Sequence, residues 1–123
     1  MNGRITSFKD LVAWQKGHNL VLQLYKVTSR FPTTEQFGLS NQLRRAGVSI
    51  TSNISEGFYR RTAVDKNSFY TVSLGSLGEV WNQITIANDL GYISQAQYEE
   101  LEIQISEVMR ILRALMQTAQ TKK

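Results

Sequence analysis

Apolar residues in this chain recur every three or four positions, and few segments alternate with period two. The pattern predicts helices and gives strands little support. The clearest run lies towards the C-terminus. Leu101, Ile105, Val108, Leu112 and Leu115 step by 4, 3, 4 and 3, the spacing of a seam packed against neighbouring helices. Charges around it follow the helix dipole, with Glu99, Glu100 and Glu102 at the start and Arg110 and Arg113 towards the end. That distribution is the ordinary mark of a solvated face.

Four start signals divide the pattern. Ser7 with Asp10, Thr33 with Gln36, Thr62 with Asp65 and Ser94 with Gln97 each place a hydroxyl residue three positions before an acid or amide. This reciprocal arrangement satisfies the first free amides of a helix. Pro32 stops the first segment, and Gly91 serves as a left-handed cap after the third. The spacing predicts helices over about 8–31, 34–59, 63–90 and 95–117, with a frayed polar tail at 118–123. Four helices of similar length with short connections predict one all-α domain, an antiparallel up-down four-helix bundle.

The first helix carries two apolar stripes. Leu11, Trp14, His18, Val21 or Leu22, and Tyr25 form one; Ala13, Gly17, Leu20, Leu24, Val27 and Phe31 form the other. A monomeric bundle needs a single stripe per helix, and a spare one marks a partner surface. The pattern therefore predicts a homo-oligomer with Ala13, Leu20, Leu24 and Val27 at its interface. The plainer alternative is a wide core that uses both stripes. In the third helix Phe69, Tyr70, Leu74, Leu77, Val80, Trp81 and Ile84 share an arc of roughly 140°. Gly75 and Gly78 lie off that arc. A mid-helix glycine costs about 1 kcal/mol relative to alanine, so the pair suggests a close approach by another helix or subunit, with simple tolerance as the alternative.

Composition narrows the function. At 123 residues the chain is sized for one domain. It has no cysteine, which excludes disulfides, thiolate catalysis and cysteine-based zinc sites. MNGRITSFKD lacks the apolar core of a signal peptide, and no apolar run reaches the ~20 residues that span a bilayer. A cytoplasmic protein without a membrane partner is expected. Charge is uneven: residues 1–61 hold nine Lys/Arg against three Asp/Glu, and residues 62–123 hold five against seven. The first half is the one that would meet phosphate.

Catalytic chemistry finds no support. His18 is the only histidine and lies on an apolar stripe, where packing is the expected role. Bundle di-metal sites use Glu-x-x-His pairs, and here Gln15 stands three residues before His18. No G-x-S-x-G or S-x-x-K motif is present to activate a serine. No enzyme, metal or cofactor is expected.

The stretch QLRRAGVSITSNISEG, residues 42–57, is the unusual one. On a helix Arg45, Ser49, Ser52, Asn53, Glu56 and Arg60 fall within roughly 100° of arc, beside a separate core stripe of Leu39, Leu43, Ala46, Ile50 and Ile54. Serine and asparagine are mediocre helix formers because they compete for backbone hydrogen bonds, so several of them in mid-helix suggest a specific contact. Two readings stand. In one, Arg44, Arg45, Arg60, Arg61 and Lys66 contact the phosphates of RNA or DNA while hydroxyls and Asn53 add hydrogen bonds. In the other, Arg45, Asn53, Glu56 and Glu79 form an internal polar network. Glu56 favours the second for its own neighbourhood, since a carboxylate repels phosphate; Arg60, Arg61 and Lys66, around the following loop, favour the first.

These residues also carry a resemblance. FKDLVAWQKGHNLVLQLYKVTSRFP, EQFGLSNQLRRAGVSITSNISEG and SLGSLGEVWNQITIANDLGYI resemble the four-helix-bundle proteins encoded in intervening sequences of bacterial 23S ribosomal RNA genes. The resemblance covers residues 8 to about 115. Ser55 and Gly47 depart from the alanines usual at those positions. Members of that family form ring-shaped homopentamers, so the resemblance implies a pentamer. A distant relative, the accessory variability determinant of diversity-generating retroelements, is a basic pentamer that binds nucleic acid and its reverse transcriptase. The resemblance therefore implies a non-catalytic assembly that binds nucleic acid, or alternatively an adaptor docking on a protein partner such as a reverse transcriptase.

Overall fold

The computed structural model describes residues 5–121, with side chains up to residue 119. Among the described residues there are four α-helices and no strand: α1 (Val12–Thr28), α2 (Leu39–Phe58), α3 (Ala63–Asp89) and α4 (Gln95–Thr121). Each helix packs on the next, and α4 closes on α1, so the four surround one core without diagonal contacts.

The first helix begins later than the Ser7 signal suggests. The Ser7–Asp10 capping box forms, but it serves a single 3-10 turn, Phe8–Asp10. Asp10 accepts from the Thr6 and Ser7 amides at 2.9 and 3.0 Å, and these bonds hold its carboxyl below the usual carboxylate range. Leu11 then takes an extended conformation, with ψ of 126°, and buries its side chain. Gln15 bridges the break by donating to the Lys9 carbonyl at 2.8 Å.

The Thr33–Gln36 box does not form. Residues Thr33–Glu35 make a 3-10 turn whose capping position, Pro32, has no side-chain hydrogen bond. Glu35 starts α2 instead. One carboxylate oxygen accepts from the Leu39 amide at 3.0 Å, and Gly38 leaves room for it, since a Cβ there would lie 2.8 Å from that oxygen. The other oxygen accepts from the Tyr92 hydroxyl at 2.9 Å. The Leu39 amide, then the Tyr92 hydroxyl, lower the Glu35 carboxyl, while Glu35 raises the Tyr92 hydroxyl. One carboxylate thus ties the α1–α2 connection to the α3–α4 connection.

The remaining two signals act where expected. Thr62 accepts from the Asp65 amide at 3.1 Å to start α3. Gly91, at φ 79°, turns the chain after it. Ser94 and Gln97 form a complete box, with bonds of 3.1 and 2.9 Å. Helix α4 runs on through residues 118–121 rather than fraying at 117; Asn67 of α3 donates to the Met116 carbonyl at 3.2 Å and holds this last stretch. Residues 122–123 of the expected tail lie outside the described residues.

The core corrects the assignment of the first helix. Ala13, Leu20, Leu24 and Val27, expected at an oligomer interface, are at most 7% exposed and form part of the bundle's own interior. Small residues explain why this stripe faces inward. Gly17 allows α2 to approach until a Cβ there would meet Thr51 Cγ2 at 3.3 Å, and a Cβ on Gly47 would meet Leu24 at 3.0 Å. The other stripe is divided: Leu11 and Val21 are buried, Trp14 and His18 are half-buried, and Leu22 and Tyr25 are 55% and 42% exposed.

On α3, Tyr70, Leu77, Val80 and Ile84 enter the core, with Leu74 and Trp81 at its margin. Ser73, Ser76 and Gln83 are buried with them. Ser73 donates to the Ile50 carbonyl at 2.8 Å, so the α2–α3 contact is held by small polar side chains as well as aliphatic ones. Gly75 and Gly78 face outward, and a Cβ on either would touch nothing; no close approach inside the protomer accounts for them. No described helix is long and apolar enough to cross a membrane.

Candidate nucleic-acid interface

Helix α2 buries Leu39, Leu43, Ala46, Ile50 and Ile54, and this fixes the outward direction of the polar stripe beside them. Three of the five cations expected to meet phosphate are engaged inside the protomer. Arg44 is half-buried between α1 and α2; its Nε donates to Thr28 Oγ1 at 2.8 Å and a terminal nitrogen donates to the Tyr25 carbonyl at 3.3 Å. Its guanidinium carbon lies 4.7 Å from the centre of the Tyr25 ring. Lys66 donates to the Phe58 carbonyl at 2.6 Å, satisfying an acceptor in the last turn of α2, and burial lowers its pKa. Both side chains are tied inside the protomer, so they are less free to meet a ligand than Arg45 and Arg61. Arg60 pairs with Glu56 at 2.7 Å, one helical turn away, and lies over the Phe69 ring at 4.5 Å.

Arg45 and Arg61 differ. Both are exposed, and neither belongs to an ion pair among the described residues, which are Lys16–Glu107 and Arg60–Glu56. Arg45 stands with Ser49 on a ridge between two open grooves. The α1-side groove, about 610 Å³, is lined by Tyr25, Asn41, Arg44, Val48, Ser52 and Asn53 as well. The α3-side groove, about 440 Å³, adds Gln42, Ala46, Glu79 and Gln83.

The internal network expected of Arg45, Asn53, Glu56 and Glu79 takes another form. Asn53 donates to the Ser49 carbonyl and hydroxyl at 2.8 and 3.1 Å, and Ser76 donates to the Ser49 hydroxyl at 2.8 Å. Ser49 is thus the centre, Glu56 turns to Arg60, and Glu79 faces Arg45 across a groove without pairing to it. Long charged side chains reach water more cheaply than they accept ordering at a surface, and exposed pairs repay little. His18 stacks on Trp14, ring centres 4.6 Å apart and 12° from parallel, on the divided stripe of α1. Four partners escaped the sequence reading: Thr28, Gln42, Ser76 and Gln83. The run of small polar residues in α3, Ser73, Ser76 and Gln83 at near-helical spacing, was the available signal for a polar contact with α2.

The model of the 23S rRNA-intervening sequence protein family matches residues 9–114. The chain belongs to that family. Its match spans all four helices and includes the whole Arg45 ridge. No curated protein matches the chain. Among solved structures, this family member is similar to a protein of unknown function from the S23 ribosomal protein family of Bacteroides thetaiotaomicron VPI-5482. The two superpose with a TM-score of 0.79 at 21% identity, over 85% of this chain and 98% of the other. At that identity the likeness concerns the fold.

Proposed function

We propose that this protein is a non-catalytic helical bundle that binds nucleic acid along the outer face of α2. The observation that carries the reading is the pair Arg45 and Arg61, two exposed guanidinium groups outside the ion pairs of the described residues, the first on the hydroxyl- and amide-rich stripe of α2 and the second in the connection that follows the helix. Arg45 stands in the second turn of α2 and Arg61 just beyond its C-terminal end, so the two mark a stretch long enough to meet several phosphates. Ser52 and Asn53 lie between them at hydrogen-bonding reach of a sugar–phosphate backbone, the contact type that positions without reading sequence. The family's name ties it to 23S rRNA, which makes structured rRNA the natural probe. Anisotropy titration of a labelled 23S rRNA fragment at ~50 mM salt should show binding that weakens steeply as salt rises. Absence of binding at that salt sinks the reading.

A second reading, self-association, rests on a separate observation. Leu22, Tyr25 and Val48 are each more than 40% exposed, and Tyr25 and Val48 line the α1-side groove with Arg44 and Arg45. On the α3–α4 side Ile103 is 71% exposed, in a groove with Trp81, Glu99 and Glu102. One face is apolar and basic, the other apolar and acidic. Joining unlike faces of successive copies is the head-to-tail contact that closes rings, so these faces support a homo-oligomer, with the pentamer of the resembling family as the expected size.

A further inference from the structure

The α3-side groove contains groups that a plain phosphate contact does not use. Its lining is Gln42, Arg45, Ala46, Ser49, Glu79 and Gln83. Gln83 is only 8% exposed, and its side-chain oxygen accepts no hydrogen bond. A buried amide oxygen without a partner is costly unless a ligand supplies a donor. Glu79 adds a carboxylate, exposed and outside both ion pairs of the described residues. A phosphate would be repelled by Glu79, so the groove is not simply an anion site.

The donors lie opposite. Arg45 brings its guanidinium. Ser49 Oγ already accepts from Asn53 and from Ser76, which occupies both lone pairs and leaves its own proton to donate. The groove therefore presents two donors, Arg45 and Ser49, beside the exposed carboxylate of Glu79, with the unpartnered oxygen of Gln83 buried at its wall. Its apolar floor is Ala46, and its volume of about 440 Å³ admits a purine.

Resting on the nucleic-acid reading above, we infer that this groove holds an unpaired guanine of the bound RNA. Guanine carries O6 and N7 acceptors beside N1–H and N2–H₂ donors. One edge of the Arg45 guanidinium, with Ser49, takes the acceptors, which arginine commonly reads on guanine, and its remaining N–H groups stay free for the flanking phosphate, while Glu79 and Gln83 take the donors. Adenine and cytosine set a ring-nitrogen acceptor beside their amino group, which turns a lone pair towards the Glu79 carboxylate, and uracil sets its single N–H between two carbonyls, so none matches the groove as guanine does. Splayed single-stranded bases are the usual objects of sequence-specific RNA reading.

The test uses the full chain and single-stranded ten-nucleotide RNAs that differ at one central position: guanine, hypoxanthine (which lacks the N2 amine) or adenine. Anisotropy should show guanine bound at least tenfold more tightly than adenine, with hypoxanthine between. Glu79→Gln should abolish that preference while leaving adenine RNA bound as well as before or better, because a negative charge is removed. Ser49 and Gln83 amide resonances should shift on titration with guanosine monophosphate and not with adenosine monophosphate. Equal, salt-sensitive binding of all three RNAs overturns the guanine groove and leaves the nucleic-acid reading standing. No binding of any RNA at ~50 mM salt overturns both.

Discussion

Arg44 donates through Nε to the hydroxyl of Thr28 at 2.8 Å, and that hydroxyl in turn donates to the Leu24 carbonyl at 2.7 Å. The two residues join the end of α1 to the start of α2 at a point where Thr28 is 4% exposed. Thr28→Val leaves the Arg44 Nε without its acceptor, and Arg44→Ala leaves the Thr28 hydroxyl donating to the Leu24 and Tyr25 carbonyls but accepting from nothing. Each should lower stability by about 1–2 kcal/mol, read from urea unfolding. Arg44→Ala should leave RNA affinity within about twofold at fixed salt. A large loss of affinity without loss of stability would return Arg44 to the ligand surface.

Glu56 and Arg60 form an exposed pair, with side chains 54% and 42% accessible. Such a pair contributes about 0.3–0.5 kcal/mol, so Glu56→Ala should hardly move the melting temperature. It should instead release Arg60 to phosphate and steepen the log–log salt dependence of RNA binding by about 0.7–0.9. A destabilisation above ~1 kcal/mol, well beyond an ordinary surface change, would show that Glu56 has a partner the bundle cannot spare.

Leu22 and Leu24 stand two residues apart on α1 and face opposite environments, 55% and 0% exposed. Leu24→Glu places an unpaired charge in the core and should prevent folding, visible as lost helical circular dichroism. Leu22→Glu should fold normally and shift the mass seen by light scattering from an oligomer to a single 14.0 kDa chain. A monomeric mass for the unaltered protein excludes the self-association reading.

Gly57 and Gly75 look alike as mid-pattern glycines but differ in what surrounds them. A Cβ on Gly57 would meet the Tyr70 ring at 2.7 Å and the Lys66 carbonyl at 3.1 Å, whereas one on Gly75 would meet nothing. Gly57→Ala should cost about 1–3 kcal/mol through overpacking. Gly75→Ala should raise stability by up to about 1 kcal/mol through helix propensity. Thermal unfolding of the two variants separates them by sign.

The helical architecture was legible because Thr62, Ser94, Gln97 and Gly91 satisfy helix ends through contacts a few residues long, which a sequence displays directly. Where a cap depended on distant partners the reading missed: Glu35 starts α2 by reaching forward to Leu39 while Tyr92, from another connection, holds its second oxygen. The two stripes of α1 were both visible, but that one would be buried whole and the other only at Leu11 and Val21 was decided by Gly17 and Gly47, small residues that let α1 and α2 meet closely. Ala13 and Gly17 within the Leu20–Leu24 stripe were the clue. For the site, the polar stripe of α2 was evident from its period, yet the state of each cation was not. Arg44, Arg60 and Lys66 differ from Arg45 and Arg61 through neighbours on other turns and helices, Thr28, Glu56 and Phe58, and sequence spacing does not report those distances.

The most direct test of the account is the salt dependence of rRNA-fragment binding for the unaltered protein and for Arg45→Ala/Arg61→Ala. The account predicts measurable binding at ~50 mM salt, and a log–log slope that falls by about 1.4–1.8 when both arginines are removed, one phosphate contact for each. An unchanged slope, or no binding by the unaltered protein, would contradict it.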